Sequence, residues 1–346
     1  MPEAFNLDDF EAIARTRMAP EHYDYVAGGA GEEHSLAENR AAFRRYQLRP
    51  RVLVDVSRIE LGTTLLGTSV PLPVGVAPMA MQGLAHSEGE LPLARGAAAA
   101  GALYCLSTVS TRSLEEVAAV STGPRWFQLY VNNRPQARRL VERAAAAGYS
   151  AIILTVDLPE LGYRERDMRH GFELVGPWGN LPASDLEGND DPLDMRGVAL
   201  TWADLAEIRS WSSLPVVIKG ILTAEDALLA VEHHADGIVV SNHGGRQLDA
   251  VVAPVDALAE VVAAVDGRAE VYLDGGVRRA TDVLIALALG ARAVFIGRPF
   301  FYALSLGEDG VARAFAIVRE ELELAMALLG TPSLDRIGAE HLRPRR

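Results

Sequence analysis

Between Pro73 and Arg298 the chain repeats one pattern eight times: a short apolar run, a polar stretch, then an alanine- and leucine-rich segment of helical period. The runs are PVGVAP (73–78), ALYCLS (102–107), RWFQLYV (125–131), AIILTVD (151–157), PVVIKG (215–220), GIVVSN (237–242), VYLDGG (271–276) and AVFIGR (293–298). Their apolar residues are continuous rather than alternating, which suits strands covered on both faces, as in a parallel sheet. Helix starts fall between them, with Ser113 followed by Glu116 and Thr223 by Asp226 three residues on. Eight strand–helix units close into a (β/α)8 barrel, an α/β fold in which all strands run the same way.

The 346 residues are read as one domain, because barrels of this kind use such a length for a single core. Two segments lie outside the repeat. Residues 1–72 form an N-terminal cap, helical over LDDFEAIARTRM and PEHYDYVAGG, then a hairpin around LGTTLLGTSVPLP. From about 164 to 200 the chain is rich in Gly, Pro, Asn and Asp, which reads as a long lid loop after the fourth strand. The basic tail HLRPRR reads as a frayed end.

A net charge of −13 argues against nucleic acid or an anionic membrane as partner, since both reward a basic face. Anionic ligands must then be held by local positive groups. Cys105 is the sole cysteine, so neither an internal disulfide nor a cysteine-based zinc site can form, and no metal is expected. The N-terminus lacks a basic-then-apolar secretory pattern and no apolar run reaches about 20 residues, so a cytoplasmic location away from membrane is expected.

In such a barrel the C-terminal strand ends carry the active site. Here those ends hold Ala77 and Pro78, Ser107, Gln128 and Tyr130, Thr155 and Asp157, Lys219, Ser241 and His243, Asp274, Gly297 and Arg298. A purely structural barrel has no need of so many convergent polar groups. After the seventh and eighth runs, DGGVRR and IGRP place Gly275, Gly276, Gly297 and Arg298 where this fold often binds phosphate. Any one of these glycines alone would be read as a turn residue; the combination favours phosphate. The cluster AGGAGEE (27–33) follows a helical stretch rather than a strand, so it is not a dinucleotide fingerprint. His243 alone would pass for a core histidine, but Arg246 follows it by three residues and Lys219 ends the preceding strand. A base beside a guanidinium that grips a carboxylate, with Asp157 to orient the imidazole, is a workable acid–base device. No G-x-S-x-G elbow is present, which disfavours serine hydrolysis.

SNHGGRQLD, DGGVRRATDV, IGRP, FQLYV, LTVD, LPVVIKGILTAEDA and LRPRVLVDV together resemble the FMN-dependent 2-hydroxy acid oxidase and dehydrogenase family, over about Phe10 to Leu329. That resemblance implies FMN as cofactor, bound by Ala77, Pro78, Met79, Ala80, Ser107, Gln128, Thr155, Lys219, Ser241, Asp274, Gly275, Gly276, Arg278, Gly297 and Arg298. It implies His243 as base with Asp157 as partner, Arg164 and Arg246 on the substrate carboxylate, and Tyr25 and Tyr130 offering phenols. A homo-oligomer, a tetramer by resemblance, is also implied. Ala80 stands where oxidases of the family often carry alanine and dehydrogenases glycine, so oxygen is the expected acceptor and hydrogen peroxide the co-product.

Three departures from the family pattern matter. Val109 replaces a bulky aromatic common in short-chain members, so it is expected to open space in the substrate pocket, with Met79, Met81 and Trp126 nearby. Tyr163 precedes Arg164 where an arginine pair is common, and the following loop is short, without a membrane-binding insertion. The expected activity is oxidation of an (S)-2-hydroxy acid with an aryl side chain, such as mandelate or 4-hydroxymandelate, to the 2-oxo acid. The alternatives are a quinone- or dye-linked dehydrogenase, an oxidase of short- or long-chain aliphatic 2-hydroxy acids such as lactate or glycolate, an FMN-dependent isomerase, or a flavin-binding module without turnover.

Overall fold

A computed structural model describes residues 3–181 and 200–345. Its centre is a closed barrel of eight parallel strands in chain order around the ring. They are β1 (Val74–Met79), β2 (Tyr104–Ser107), β3 (Arg125–Leu129), β4 (Ile152–Thr155), β5 (Val216–Ile221), β6 (Gly237–Val240), β7 (Glu270–Asp274) and β8 (Ala293–Ile296). Each falls within one of the eight runs or overlaps it by all but a residue, and β8 pairs with β1 to close the ring. The anticipated helix starts are present: Ser113 and Glu116 form a reciprocal capping box, and the Thr223 side chain accepts from the Asp226 N–H. Among the described residues no helix is long and apolar enough to cross a membrane.

Inward-facing residues alternate along each strand, and this period of two stacks the barrel interior in layers. An apolar layer contains Cys105, Trp126, Ile153, Val217, Val239, Tyr272 and Phe295. Two residues further on, the same inward face carries Ser107, Gln128, Thr155, Lys219, Ser241, Asp274 and Gly297. One step toward the C-terminal mouth therefore changes the interior from hydrocarbon to hydrogen-bonding groups.

Trp126 belongs to the lower layer, which corrects its expected place near the substrate pocket. It is fully buried, edge-on to Tyr272 at 5.4 Å and tilted against Phe295 at 5.7 Å between ring centroids. Its inward direction was legible; its height in the barrel depended on where β3 begins.

The first 72 residues serve both ends of the barrel. The hairpin is Thr63–Leu65 paired with Thr68–Val70, turning through Leu66 and Gly67, both at positive φ as a tight two-residue turn needs. Leu65 and Val70 join the lower apolar layer, and the Leu66 N–H bonds the Glu270 carboxylate at the start of β7. The hairpin thus closes the N-terminal end, whereas the helix Pro20–Ala27 brings Tyr25 and Val26 to the C-terminal mouth. The expected frayed tail is instead paired: Leu342–Pro344 forms an antiparallel ladder with Tyr46–Leu48, and His341 is buried. Backbone pairing with a strand 300 residues away leaves no trace in local composition. The anticipated lid region begins with the helix Glu165–His170 and an irregular stretch to Leu181; its remainder, 182–199, lies outside the described residues.

Because Trp126 fills the lower layer, Trp126→Ala is expected to lower unfolding stability by about 3–5 kcal/mol, measured by urea denaturation. A loss under about 1 kcal/mol would show that the layer collapses into the gap.

Candidate active site

The mouth of the barrel is a cavity lined by residues from nearly every strand end, among them Ala77, Pro78, Met79, Ala80, Ser107, Tyr130, Lys219, His243, Asp274, Gly275, Gly276, Arg278, Gly297 and Arg298. A wider recess of about 1310 Å³ opens at the opposite end, around the hairpin, and receives none of the strand C-termini. The chemistry therefore belongs to the mouth.

Its floor is the inward polar layer. Lys219, buried, donates to Ser241 Oγ at 3.0 Å and lies 3.4 Å from Asp274 Oδ2. Burial alone would weaken its ammonium, but the charges of Asp274 and Asp157 win and hold its pKa above the ordinary lysine value. Beside it, Ser107 Oγ donates to Gln128 Oε1 at 3.1 Å, and Gln128 Nε2 donates to Thr155 Oγ1 at 3.0 Å. Ser107 lines the cavity; Gln128 and Thr155 lie just beneath and hold it in place.

His243 stands three residues beyond β6 at positive φ, followed by Gly244 and Gly245, also at positive φ. This left-handed turn lifts the imidazole over the strand end, and only glycine suits position 245, where a Cβ would lie 2.6 Å from the Leu36 nitrogen. His243 Nδ1 lies 2.8 Å from Asp157 Oδ1. An ionised carboxylate can only accept, so Nδ1 carries the proton and the Nε2 lone pair faces the cavity, 3.4 Å from the Tyr130 hydroxyl. Ser241 adds a second restraint, its Oγ accepting the His243 N–H at 3.1 Å. Desolvation in the mouth pushes the imidazole below its ordinary pKa, with Asp157 acting against it and Lys219 with it. Desolvation would raise Asp157, but the charges of His243 and Lys219 and the His243 hydrogen bond bring it below the usual carboxylate value. At neutral pH the pair is a neutral imidazole on a carboxylate, the state a general base requires.

Three guanidinium groups crowd the other wall. Arg298 donates to the carbonyls of Val26, Gly244 and Gly28 at 2.8–3.0 Å, and Arg246 to those of Tyr25 and Gly28. Arg164 reaches the Arg246 carbonyl at 3.5 Å, and both Arg164 and Arg246 lie over the Tyr25 ring, 5.9 and 4.8 Å from its centroid. None of the three pairs with a carboxylate among the described residues. Burial, then mutual repulsion with Arg246, pushes Arg298 down to about 9 and Arg164 down to about 10. Guanidinium does not deprotonate in proteins, so these shifts register buried positive charge, which at Arg164 the charge of Asp167 only partly offsets. Arg278 differs, having Asp8 at 3.3 Å.

Most of the expected site residues therefore converge, and Asp157 and Ser241 support His243 from below. Val109 does not. It is fully buried with Met81, Tyr130 and Leu158, and it does not line the cavity. Leu174 and Trp178 pack against the same cluster, so the small side chain leaves no opening. Leu158, Leu161, Gly244, Val277 and Phe301 line the cavity and were not anticipated. Leu158 and Leu161 follow the fourth strand directly and Gly244 follows His243, so proximity to the strand ends was the available signal.

The family model for FMN-dependent dehydrogenases matches residues 14–344. The chain is a member of that family. An L-lactate oxidase of Nostoc sp. is 50% identical over 97% of both chains, and a glycolate oxidase of Spinacia oleracea is 48% identical over 98% of this chain and 96% of the relative. A solved mandelate oxidase superposes with a TM-score of 0.92 at 44% identity over 99% of both chains, and the same enzyme with benzoyl-formic acid gives 0.91.

The cavity fits the family's FMN. Arg298, uncompensated by carboxylate, suits a phosphate; Asp274 Oδ1, buried without a partner among the described residues, suits the hydroxyls of a ribityl chain. Lys219 supplies a buried positive charge that would stabilise the negative charge of a reduced flavin held in this cavity. Gly275 and Gly276 both take positive φ, and at 276 a Cβ would meet the Asn39 carbonyl oxygen at 1.9 Å, so that glycine also serves the packing of the N-terminal segment.

In this FMN-dependent family member, His243→Ala is expected to keep the flavin but slow its reduction by roughly 10²–10⁴-fold, read by stopped-flow absorbance. Reduction at the wild-type rate would remove His243 from the chemistry. Flavin reduction should also be lost as pH falls through the histidine pKa, with a midpoint below about 6.5, because the base works only when neutral. A midpoint above 7 would contradict the desolvated setting.

Proposed function

We propose that this FMN-dependent 2-hydroxy acid oxidase acts on (S)-2-hydroxy acids with an aryl side chain, mandelate-like, using oxygen as the acceptor. The observation that carries the reading is the opposition, across one cavity, of a neutral imidazole backed by Asp157 at 2.8 Å and two guanidinium groups without carboxylate partners. Arg164 and Arg246 would hold the substrate carboxylate, which orients the 2-carbon. Tyr130, 3.4 Å from His243 Nε2, would steer the hydroxyl. His243 Nε2 takes the proton, and Asp157 stabilises the imidazolium that forms. Bound FMN supplies the two-electron acceptor. Loss of the proton from the hydroxyl or from the α-carbon calls for a base at this same atom, so the geometry serves either route. An isomerase acting on a diphosphate would need a second phosphate site beyond Arg298, and Arg164 and Arg246 instead share one cavity with the base.

The aryl preference is supported by the mandelate oxidase likeness and by the apolar surface of Leu158 and Leu161 at the cavity edge. Burial of apolar surface is worth about 25 cal/mol per Å², which would favour a phenyl ring over a methyl by a few kcal/mol. A second reading, short aliphatic acids, is favoured by the lactate oxidase at 50% identity and by the closed packing over Val109.

Comparison of kcat/KM for glycolate, lactate, a long-chain 2-hydroxy acid and mandelate is expected to rank mandelate first; a clear preference for glycolate or lactate would establish the second reading. Ala80, on the cavity wall, motivates the acceptor assignment. Substrate-reduced enzyme mixed with oxygen should reoxidise at least as fast as it turns over, and reoxidation far slower than turnover with a quinone or dye would make it a dehydrogenase.

A further inference from the structure

Beside Tyr25 and Arg164, which line the cavity, the N-terminal segment and the chain after β4 are joined by charges that take no part in proton transfer. Arg166, in the helix Glu165–His170, donates to Glu33 Oε2 at 2.5 Å and to Asp24 Oδ1 at 3.4 Å. The other Asp24 oxygen lies 2.7 Å from His170 Nε2, so the helix Pro20–Ala27 is tied to the helix Glu165–His170 at two points. Burial would lower the pKa of Arg166, but the hydrogen bond and charge of Glu33 and the charge of Asp24 hold it above the ordinary arginine value. Arg164, two residues earlier, makes no hydrogen bond to a carboxylate among the described residues and lies instead over the Tyr25 ring.

Glu33 takes positive φ although it carries a side chain, a conformation that persists only where its surroundings fix it. Its Oε1 accepts the Gly29 N–H at 2.9 Å while Oε2 takes the bond from Arg166. The turn it closes, residues 28–33, is bonded to both arginine-bearing segments: the Ala30 N–H donates to the Gly245 carbonyl at 2.8 Å, and the Gly31 N–H to the Tyr163 carbonyl at 2.9 Å. Gly28 presents its carbonyl to Arg246 at 3.0 Å and to Arg298 at 2.8 Å. The packing is equally close, since a Cβ at Gly29 would lie 2.9 Å from the Gly245 carbonyl oxygen. An isolated exposed ion pair would fix little, but here one guanidinium is shared by two carboxylates that are bonded in turn, Glu33 to backbone and Asp24 to His170. All three side chains are at most 35% exposed. One turn is thus bonded to the neighbours of both Arg164 and Arg246, and Arg166 is the charged group that fastens it on the Arg164 side.

We infer that Arg166 is a positioning residue for substrate binding: clamped by Glu33 and Asp24, it holds the chain at Arg164 against the turn that orients Arg246, so that the two guanidinium groups converge on one carboxylate. The inference rests on the reading of Arg164 and Arg246 as the grip on the substrate carboxylate. Those two like charges share the Tyr25 ring and repel each other. A scaffold that holds them together before the ligand arrives spares the ligand the cost of gathering them.

The test uses the FMN-loaded enzyme and its Arg166→Ala, Glu33→Gln, Arg164→Met and Arg164→Met/Arg166→Ala variants. Dissociation constants for benzoylformate and pyruvate, an aryl and a methyl 2-oxo acid, are read from perturbation of the flavin absorbance, beside kcat and KM for mandelate and lactate. Arg166→Ala is expected to raise the dissociation constants and KM values about tenfold or more, by a larger factor than kcat falls. Glu33→Gln keeps an oxygen for the Gly29 N–H but gives up the charge facing Arg166, and should shift them the same way by about threefold or more. Because Arg166 acts through Arg164, the double variant should bind within about twofold of Arg164→Met alone. Wild-type dissociation constants in Arg166→Ala, or effects that add in full to those of Arg164→Met, would overturn the inference while leaving Arg164 on the carboxylate. If Arg166→Ala fails to load FMN, Glu33→Gln decides, and wild-type dissociation constants there overturn the inference. Unchanged carboxylate binding in Arg164→Met would refute the reading of Arg164, and the inference with it.

Discussion

Positive charge without carboxylate partners is the constraint around which the mouth of this barrel is organised. Burial and the neighbouring charge of Arg246 depress the pKa values of Arg164 and Arg298. Carboxylate partners would relieve that cost and leave nothing for a ligand. Backbone carbonyls of Tyr25, Val26 and Gly28 hold Arg246 and Arg298 instead, fixing their direction without cancelling their charge. This explains why the AGG turn at 27–29 belongs to the site although it is no nucleotide fingerprint. It also reconciles a chain of net charge −13 with anionic ligands: the acidic surface is general, and the attraction is local.

The base is tuned by the same field. Lys219 sits between Asp274 and Asp157, and its charge opposes protonation of His243 while favouring ionisation of Asp157. An imidazole in this setting rests neutral, with the Asp157 carboxylate 2.8 Å away to offer compensating charge to its protonated form. Lys219 is thereby linked to both halves of the site: it stands by the cofactor's place and restrains the resting protonation of the base.

The barrel was legible because its strands are continuous apolar runs and its polar residues fall two positions beyond the inward apolar ones. That spacing follows from strand geometry alone, so Ser107, Gln128, Thr155, Lys219, Ser241 and Asp274 could be placed without knowledge of any distant contact. What was not legible depended on contacts between residues far apart in sequence. The pairing of Leu342–Pro344 with Tyr46–Leu48 reflects a ladder, not composition. Trp126 faces inward as anticipated but one layer below the mouth. Val109 misled for a related reason: a short side chain opens a cavity only where nothing else fills it, and Met81 reaches it from the connection after β1 while Leu158, Leu174 and Trp178 reach it from the one after β4. Glu90 and Asn180, which hold those connections, resemble ordinary surface polar residues until their partners are known.

These connections divide the work of the mouth. His243 and Arg246 follow β6 in a single turn, and Lys219 lies within β5. The apolar wall comes from the loops after β1, β2 and β4, joined through Glu90 and Asn180 rather than through His243 or Lys219. Tyr130, after β3, touches both groups, packing in the wall while its hydroxyl lies 3.4 Å from His243 Nε2. The hydrogen bonds that hold the apolar cluster are therefore separate from those that set the protonation of His243. Relatives named for lactate, glycolate and mandelate oxidation are similar to this chain over nearly its whole length, as expected where one barrel scaffold carries loops that vary at its mouth.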